Sequence, residues 1–79
     1  MTKNKRLFQV EWDQEGEKVE IHFDNDGLSY FISLLEKLRD EKSPNDIHLM
    51  TPEWGGNELS SSEDAGDRII VNHLKLLKW

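Results

Sequence analysis

Apolar and polar positions alternate twice near the start of the chain. From Leu7 to Asp13, Phe8, Val10 and Trp12 point one way and Gln9, Glu11 and Asp13 the other. From Lys18 to Asp24, Val19, Ile21 and Phe23 oppose Glu20 and His22. Period 2 over this length predicts two half-buried strands. Their parity constrains the turn. A two-residue loop at Glu15-Gly16 sets Trp12 opposite Val19, Val10 opposite Ile21 and Phe8 opposite Phe23, so both apolar sets share one face. A three-residue loop would slip the register by one and set Lys18 beside Trp12. Gly16 at the second loop position suits a type I′ turn. Trp12 is expected in the core, beneath a helix.

The period then changes. Asp24-Asn25-Asp26-Gly27 breaks the strand and supplies helix caps. Between Gly27 and Lys42, residues Leu28, Phe31, Ile32, Leu35 and Leu38 follow the i, i+3, i+4, i+7 stripe of an amphipathic helix, which Leu34 broadens. Tyr30 lies off this stripe and reads as a half-exposed flank. Ser43-Pro44 stops the helix, because the residue before proline avoids helical angles. A third strand spans Asp46 to Met50, with Ile47 and Leu49 inward. A fourth runs from Arg68 to about Leu77, with apolar residues at both parities, as a bulge or two-sided burial would require.

The order is ββαββ. It predicts an α+β domain in which one helix covers one face of a four-stranded, largely antiparallel sheet. A right-handed crossover gives the strand order 2-1-3-4. The other face is expected to stay partly open, carrying Gln9, Glu11, Glu20, His22, His48 and Met50. Residues 1–79 form one domain, with 1–6 expected to be flexible.

Charge narrows the partners. The net charge is −6. Acids concentrate in two blocks, seven between Glu11 and Asp26 and six between Asp46 and Asp67. With no basic stripe to outweigh them, nucleic acid is an unsuitable partner, whereas a basic protein is a suitable one. An acidic balance also serves ordinary solubility. There are no cysteines, which fits a reducing compartment. Met1 to Arg6 is polar and basic, and no signal peptide or membrane span follows. The chain reads as cytoplasmic, without membrane association.

The most informative segment is His48-Leu49-Met50-Thr51-Pro52-Glu53-Trp54-Gly55-Gly56-Asn57-Glu58-Leu59-Ser60. A large aromatic sits between a proline turn and a Gly-Gly pair, flanked by carboxylates. Loops favour small polar residues unless a large side chain has a task there. Trp54 either plugs the end of the core or anchors a partner. Residues 51–60 are expected to be ordered and functional, and 61–66 mobile. His48 would orient the loop through a hydrogen bond. If His22 and His48 shared the open face, Glu20 or Asp24 would complete a zinc set, but no tight histidine spacing exists and no metal is expected. Glu53 and Glu58 would be acid–base candidates, yet so small a domain is expected to lack a sizeable cleft. No nucleophile or cofactor motif is present, so neither enzymatic activity nor a cofactor is expected.

Over His48-Leu49-Met50-Thr51-Pro52-Glu53-Trp54-Gly55-Gly56-Asn57-Glu58-Leu59 the sequence resembles a small α+β immunity protein family of bacterial polymorphic toxin systems. The resemblance implies a protein that binds and neutralises a cognate toxin domain made by the same cell. The family motif maps onto Trp54, Gly55, Gly56, Asn57 and Glu58; with Glu53 and His48 these form the expected partner-binding set. A basic nuclease is the kind of toxin that an acidic loop would suit. The alternative is a small adaptor or oligomerising subunit of an unrelated complex. A homodimer through the fourth strand or the open sheet face is also compatible with the pattern.

Overall fold

The computed structural model describes residues 6–79. The expectation of flexibility over residues 1–6 falls, for 1–5, outside the described residues. Arg6 is held: its guanidinium lies 3.6 Å from the centre of the Tyr30 ring and donates to the Asn57 carbonyl at 3.2 Å.

The alternating segments form strands β1 (Phe8–Asp13) and β2 (Lys18–Phe23). They pair antiparallel in the expected register, with Phe8 opposite Phe23, Val10 opposite Ile21 and Trp12 opposite Val19. The turn differs. Asp13 pairs with Lys18, so four residues form the loop, closed by a bond from the Glu17 N–H to the Gln14 carbonyl. The left-handed residue is Glu17 (φ 52°), not Gly16. Gly16 serves through its lack of bulk: a Cβ there would meet an Asp13 carboxylate oxygen at 2.8 Å.

Helix α1 spans Asn25–Asp40. The Asp24 carboxylate accepts from the Gly27 N–H at 2.7 Å, which satisfies a donor of the first turn and holds that carboxyl below its ordinary pKa. Gly27 permits close packing, since a Cβ there would collide with the Leu7 carbonyl. At the other end the Glu41 N–H reaches the Leu38 carbonyl, and Lys78 closes the helix by donating to the carbonyls of Leu38, Arg39 and Glu41, acceptors of the kind a helix end leaves over.

The helix is rotated from the predicted stripe. Phe31, Leu34 and Leu38 face the core together with Tyr30, whereas Leu28, Ile32 and Leu35 are exposed. The cause is the aromatic cluster around Phe8. Phe8 lies 4.9 Å from Phe31, 5.4 Å from Phe23 and 6.3 Å from Tyr30 between ring centres. Seating these rings draws the 27–31–34–38 line onto the sheet and turns the 28–32–35 line aside.

Strand β3 (Asn45–Met50) keeps its predicted parity, with Leu49 fully buried. The predicted fourth strand is two strands, β4 (Ile69–Ile70) and β5 (His73–Lys78). They belong to different sheets: β4 joins β2-β1-β4, and β5 pairs with β3. This division explains the mixed parity of the segment. The α+β class and the ββαββ frame hold, but the single sheet of order 2-1-3-4 becomes two antiparallel sheets. The edge of β1 that β3 was expected to occupy is taken instead by Ser60, which exchanges bonds with the Phe8 backbone, by the Val71 N–H on the Val10 carbonyl, and by β4.

The face expected to be partly open is covered over β1, while Glu20 and His22 on β2 stay half-buried. Gln9 and Glu11 are fully buried, under the segment 61–68, of which 61–66 was expected to be mobile. The Gln9 side chain holds the Glu63 backbone at both its N–H (3.1 Å) and its carbonyl (3.0 Å), and Ala65 is buried. Trp12, expected beneath the helix, is 41% exposed, because the helix covers only the Phe8–Phe23 end of the sheet. No helix among the described residues is long and apolar enough to cross a membrane.

Candidate functional site

The loop after β3 starts from a buried anchor. The Thr51 hydroxyl donates to the Asn72 side chain at 2.7 Å, and its N–H bonds the Asn72 carbonyl. Pro52–Trp54 then forms a single 3-10 turn, with proline at a position where its missing N–H costs nothing. Gly55 ends the turn with φ 88°, a left-handed conformation that glycine adopts without strain. The N–H groups of Trp54 and Gly56 both reach the Thr51 carbonyl at 3.0 Å.

The return leg is stitched to β3. The Glu58 carboxylate accepts from the Met50 N–H at 3.1 Å, and the Leu59 N–H donates to the Met50 carbonyl. A carboxylate thus stands in for a strand partner. Gly56 passes so close to Met50 that a Cβ would lie 2.6 Å from its carbonyl oxygen. Leu59 is 2% exposed and joins the core around Phe8.

The expected partner-binding residues therefore separate into two groups. Gly55, Gly56 and Glu58 shape the loop, and the Glu58 side chain is engaged inward. Glu53, Trp54 and Asn57 are presented. Trp54 is 58% exposed, so it does not plug the core. Glu53 accepts from the Ser61 hydroxyl at 2.7 Å; chiefly for that reason its carboxyl is held below the ordinary range.

His48 does not touch the loop directly. Its Nδ1 shares a hydrogen bond with His73 Nε2 at 2.9 Å, and the two rings stack with centres 5.1 Å apart. The His73 ring lies 6.4 Å from that of Trp54. The three rings form one exposed strip running from β3 over β5 to the loop. Sequence reasoning missed His73, whose partner lies across the β3–β5 pairing.

On the other side of the loop lies an open groove of about 540 Å³, bordered by Arg6, Glu53, Asn57, Glu58 and Ser61. This corrects the expectation that the domain would have no sizeable cleft. The groove lies between the Pro52–Glu53 turn, the return leg from Asn57 to Ser60 and the start of the segment that follows.

The histidines are distributed otherwise than expected. His22 does not meet His48, which lies in the other sheet. It meets Glu20 at 2.9 Å and Glu11 at 3.5 Å, and these three side chains bring possible metal-binding atoms within 4.8 Å of one another. Arg68 enters the same cluster, with Nε 2.6 Å from Glu11 and 3.4 Å from Glu20. The guanidinium supplies the positive charge that such a set would otherwise seek. The Arg68 hydrogen bond is the main cause holding the Glu11 carboxyl below its ordinary pKa, against the opposing effect of burial. The cluster is a structural ion-pair network that fixes the 61–68 segment to the sheet.

No curated protein and no solved structure matches the chain. The family model described as Immunity protein 32 matches residues 18–74, from the first residue of β2 into β5 and across the whole Trp54 loop. The chain belongs to the Immunity protein 32 family.

Proposed function

From this membership we propose that the protein binds a cognate bacterial toxin domain in the cytoplasm and neutralises it by occupying its surface, performing no chemistry itself. The proposed contact is the 51–60 loop, with Trp54 as anchor, Glu53 and Asn57 beside it and His48 at the edge of the ring strip. The observation that carries this reading is a half-exposed indole on a loop whose backbone is bonded at Thr51, Trp54, Gly55, Gly56, Leu59 and Ser60. A rigid aromatic loses little entropy on binding, and tryptophan dominates interface hot spots. The ionised Glu53 beside the groove suits a basic toxin surface such as the phosphate-binding site of a nuclease.

Co-expression with the toxin encoded immediately upstream is expected to restore host survival. In binding measurements, Trp54→Ala is expected to weaken the complex about thirtyfold or more. Glu53→Ala would have a smaller effect that shrinks further at high salt. Undiminished binding by both variants, with their folds intact, would exclude the loop as the contact.

A further inference from the structure

The surfaces expected to carry a self-contact are altered: the polar sheet face is covered over Gln9 and Glu11 by residues 61–68, and β4, the part of the predicted fourth strand that holds Ile69 and Ile70, is two residues long. A different edge is better built. β2 is the outer strand of the β2-β1-β4 sheet. The Phe8 N–H and carbonyl and the Val10 carbonyl point away from β2, toward Ser60 and Val71. Backbone groups alternate along a strand, so Gln9 and Glu11 bond to β2, and their partners His22 and Glu20 bond inward. Val19, Ile21 and Phe23 therefore turn their N–H and carbonyl groups outward, and none of these meets another strand among the described residues.

An apolar surface adjoins this edge. Val19, Trp12 and Ile69 stand side by side across the three strands, all of them exposed, with Ile21 beside them. The Tyr30 flank of α1 faces Arg6, on the Ser60 side of β1. The opposite flank, with exposed Leu28, Ile32 and Leu35, therefore overhangs β2. These seven side chains expose on the order of 600 Å² of apolar surface, at the upper limit for a monomer. Val19, Ile21 and the helix flank adjoin the pairing edge, whereas Trp12 and Ile69 lie one and two strands further in, so a contact at this edge covers part of that surface together with the strand edge itself.

We infer that the occupant is a second copy of this chain, joined antiparallel through β2 about a twofold axis at Ile21, which makes one six-stranded sheet of order 4-1-2-2-1-4. The charges select this partner and this register. Symmetry about Ile21 sets Lys18 opposite Asp24, Glu20 opposite His22 and Val19 opposite Phe23 of the second copy. Symmetry about Glu20 would face two copies of that carboxylate. Symmetry about Val19 would set Glu17 against Ile21, and symmetry about His22 would set Glu20 against Asp24. Only the Ile21 axis matches both charge and hydrophobicity while all outward backbone groups of Val19, Ile21 and Phe23 find partners. The Trp54 loop lies beyond the other edge of β1, so the inference is independent of toxin binding.

The test is made on the isolated full chain. Sedimentation equilibrium is expected to give a dimer, and Ile21→Lys, which sets two like charges on the axis, to weaken it at least about tenfold. Single cysteines at Val19, Glu20 and Ile21 report the register without interference, since the chain has none of its own. Facing residues of a bonded pair lie about 5.5 Å apart, within disulfide range. Ile21→Cys is expected to crosslink fastest on mild oxidation. A monomer at about 1 mM, or faster crosslinking of Val19→Cys or Glu20→Cys, overturns the inference. The crosslinking order decides the matter even if Ile21→Lys fails to fold.

Discussion

Two neighbouring residues of β1 show the two faces of one sheet. Glu11 is 2% exposed and Trp12 is 41% exposed. On the polar face, a carboxylate and an amide are buried beneath residues 61–68, and the partly exposed guanidinium of Arg68 closes over the carboxylate. On the apolar face, an indole and three aliphatic side chains, Val19, Ile21 and Ile69, meet water. Alternation establishes which side chains travel together; it does not say which face the rest of the chain will cover. The polar face could be buried because it is satisfied internally. Gln9 donates to Glu11 and holds the Glu63 backbone from both sides, while Arg68 neutralises Glu11. Burying such groups without these partners would cost several kcal/mol.

The contrast can be broken hardest at its polar end. Glu11→Ala removes the acceptor for both Arg68 and Gln9 and is expected to destabilise the fold by about 2–3 kcal/mol in chemical denaturation. Part of the guanidinium reaches water, which keeps the loss below that of a fully buried pair.

Acid should reproduce part of the same loss reversibly. The folded-state pKa of Glu11 is depressed, so its contribution is fully present above the ordinary glutamate pKa and disappears as the pH falls through the depressed value. The stability curve of the wild type should therefore fall more steeply below about pH 4.5 than that of Glu11→Ala. Parallel curves would mean that Glu11 titrates alike folded and unfolded.

Gln9→Ala is expected to cost about 1–2 kcal/mol. Its specific signature is local: hydrogen exchange at the Glu63 amide should accelerate more than at the Phe8 amide, because Glu63 loses its partner while Phe8 keeps Ser60. The smallest effect belongs to the apolar face. Val19→Thr should change the stability of dilute protein by less than about 0.5 kcal/mol, although the alternation assigns valine to the core. A larger loss would show that this face is covered in solution.

Much of the architecture was legible because it follows from local rules. Strand parity sufficed for the β1–β2 register, since a slip of one residue would have put Glu20 and His22 on the face of Phe8 and Val10. Asp24 and the proline at position 44 delimited the helix to within two residues. The loop containing Trp54 stood out because a large aromatic between Pro52 and Gly55 has no local reason to be there. The site was less legible. Glu53 and Glu58 look alike in sequence, yet one is presented and the other caps the Met50 N–H. Distinguishing them required knowing that Leu59 turns back into the core. His73 was invisible as a neighbour of Trp54 because the β3–β5 pairing alone brings it there.

Local rules were enough for the first two strands, the helix and β3, for the face each side chain shares within its own strand, for the acidic character and for the presence of an unusual aromatic loop. These depend on dihedral preference, side-chain period and formal charge, all set within a few residues. Tertiary structure alone decided that the last segment divides between two sheets, that residues 61–68 cover the polar face, that α1 turns Leu28, Ile32 and Leu35 outward, and that Glu58 faces inward while Trp54 faces out. Each of these is a choice among distant surfaces competing for one another, settled by which pairing satisfies the most buried polar groups and seats the aromatic rings around Phe8.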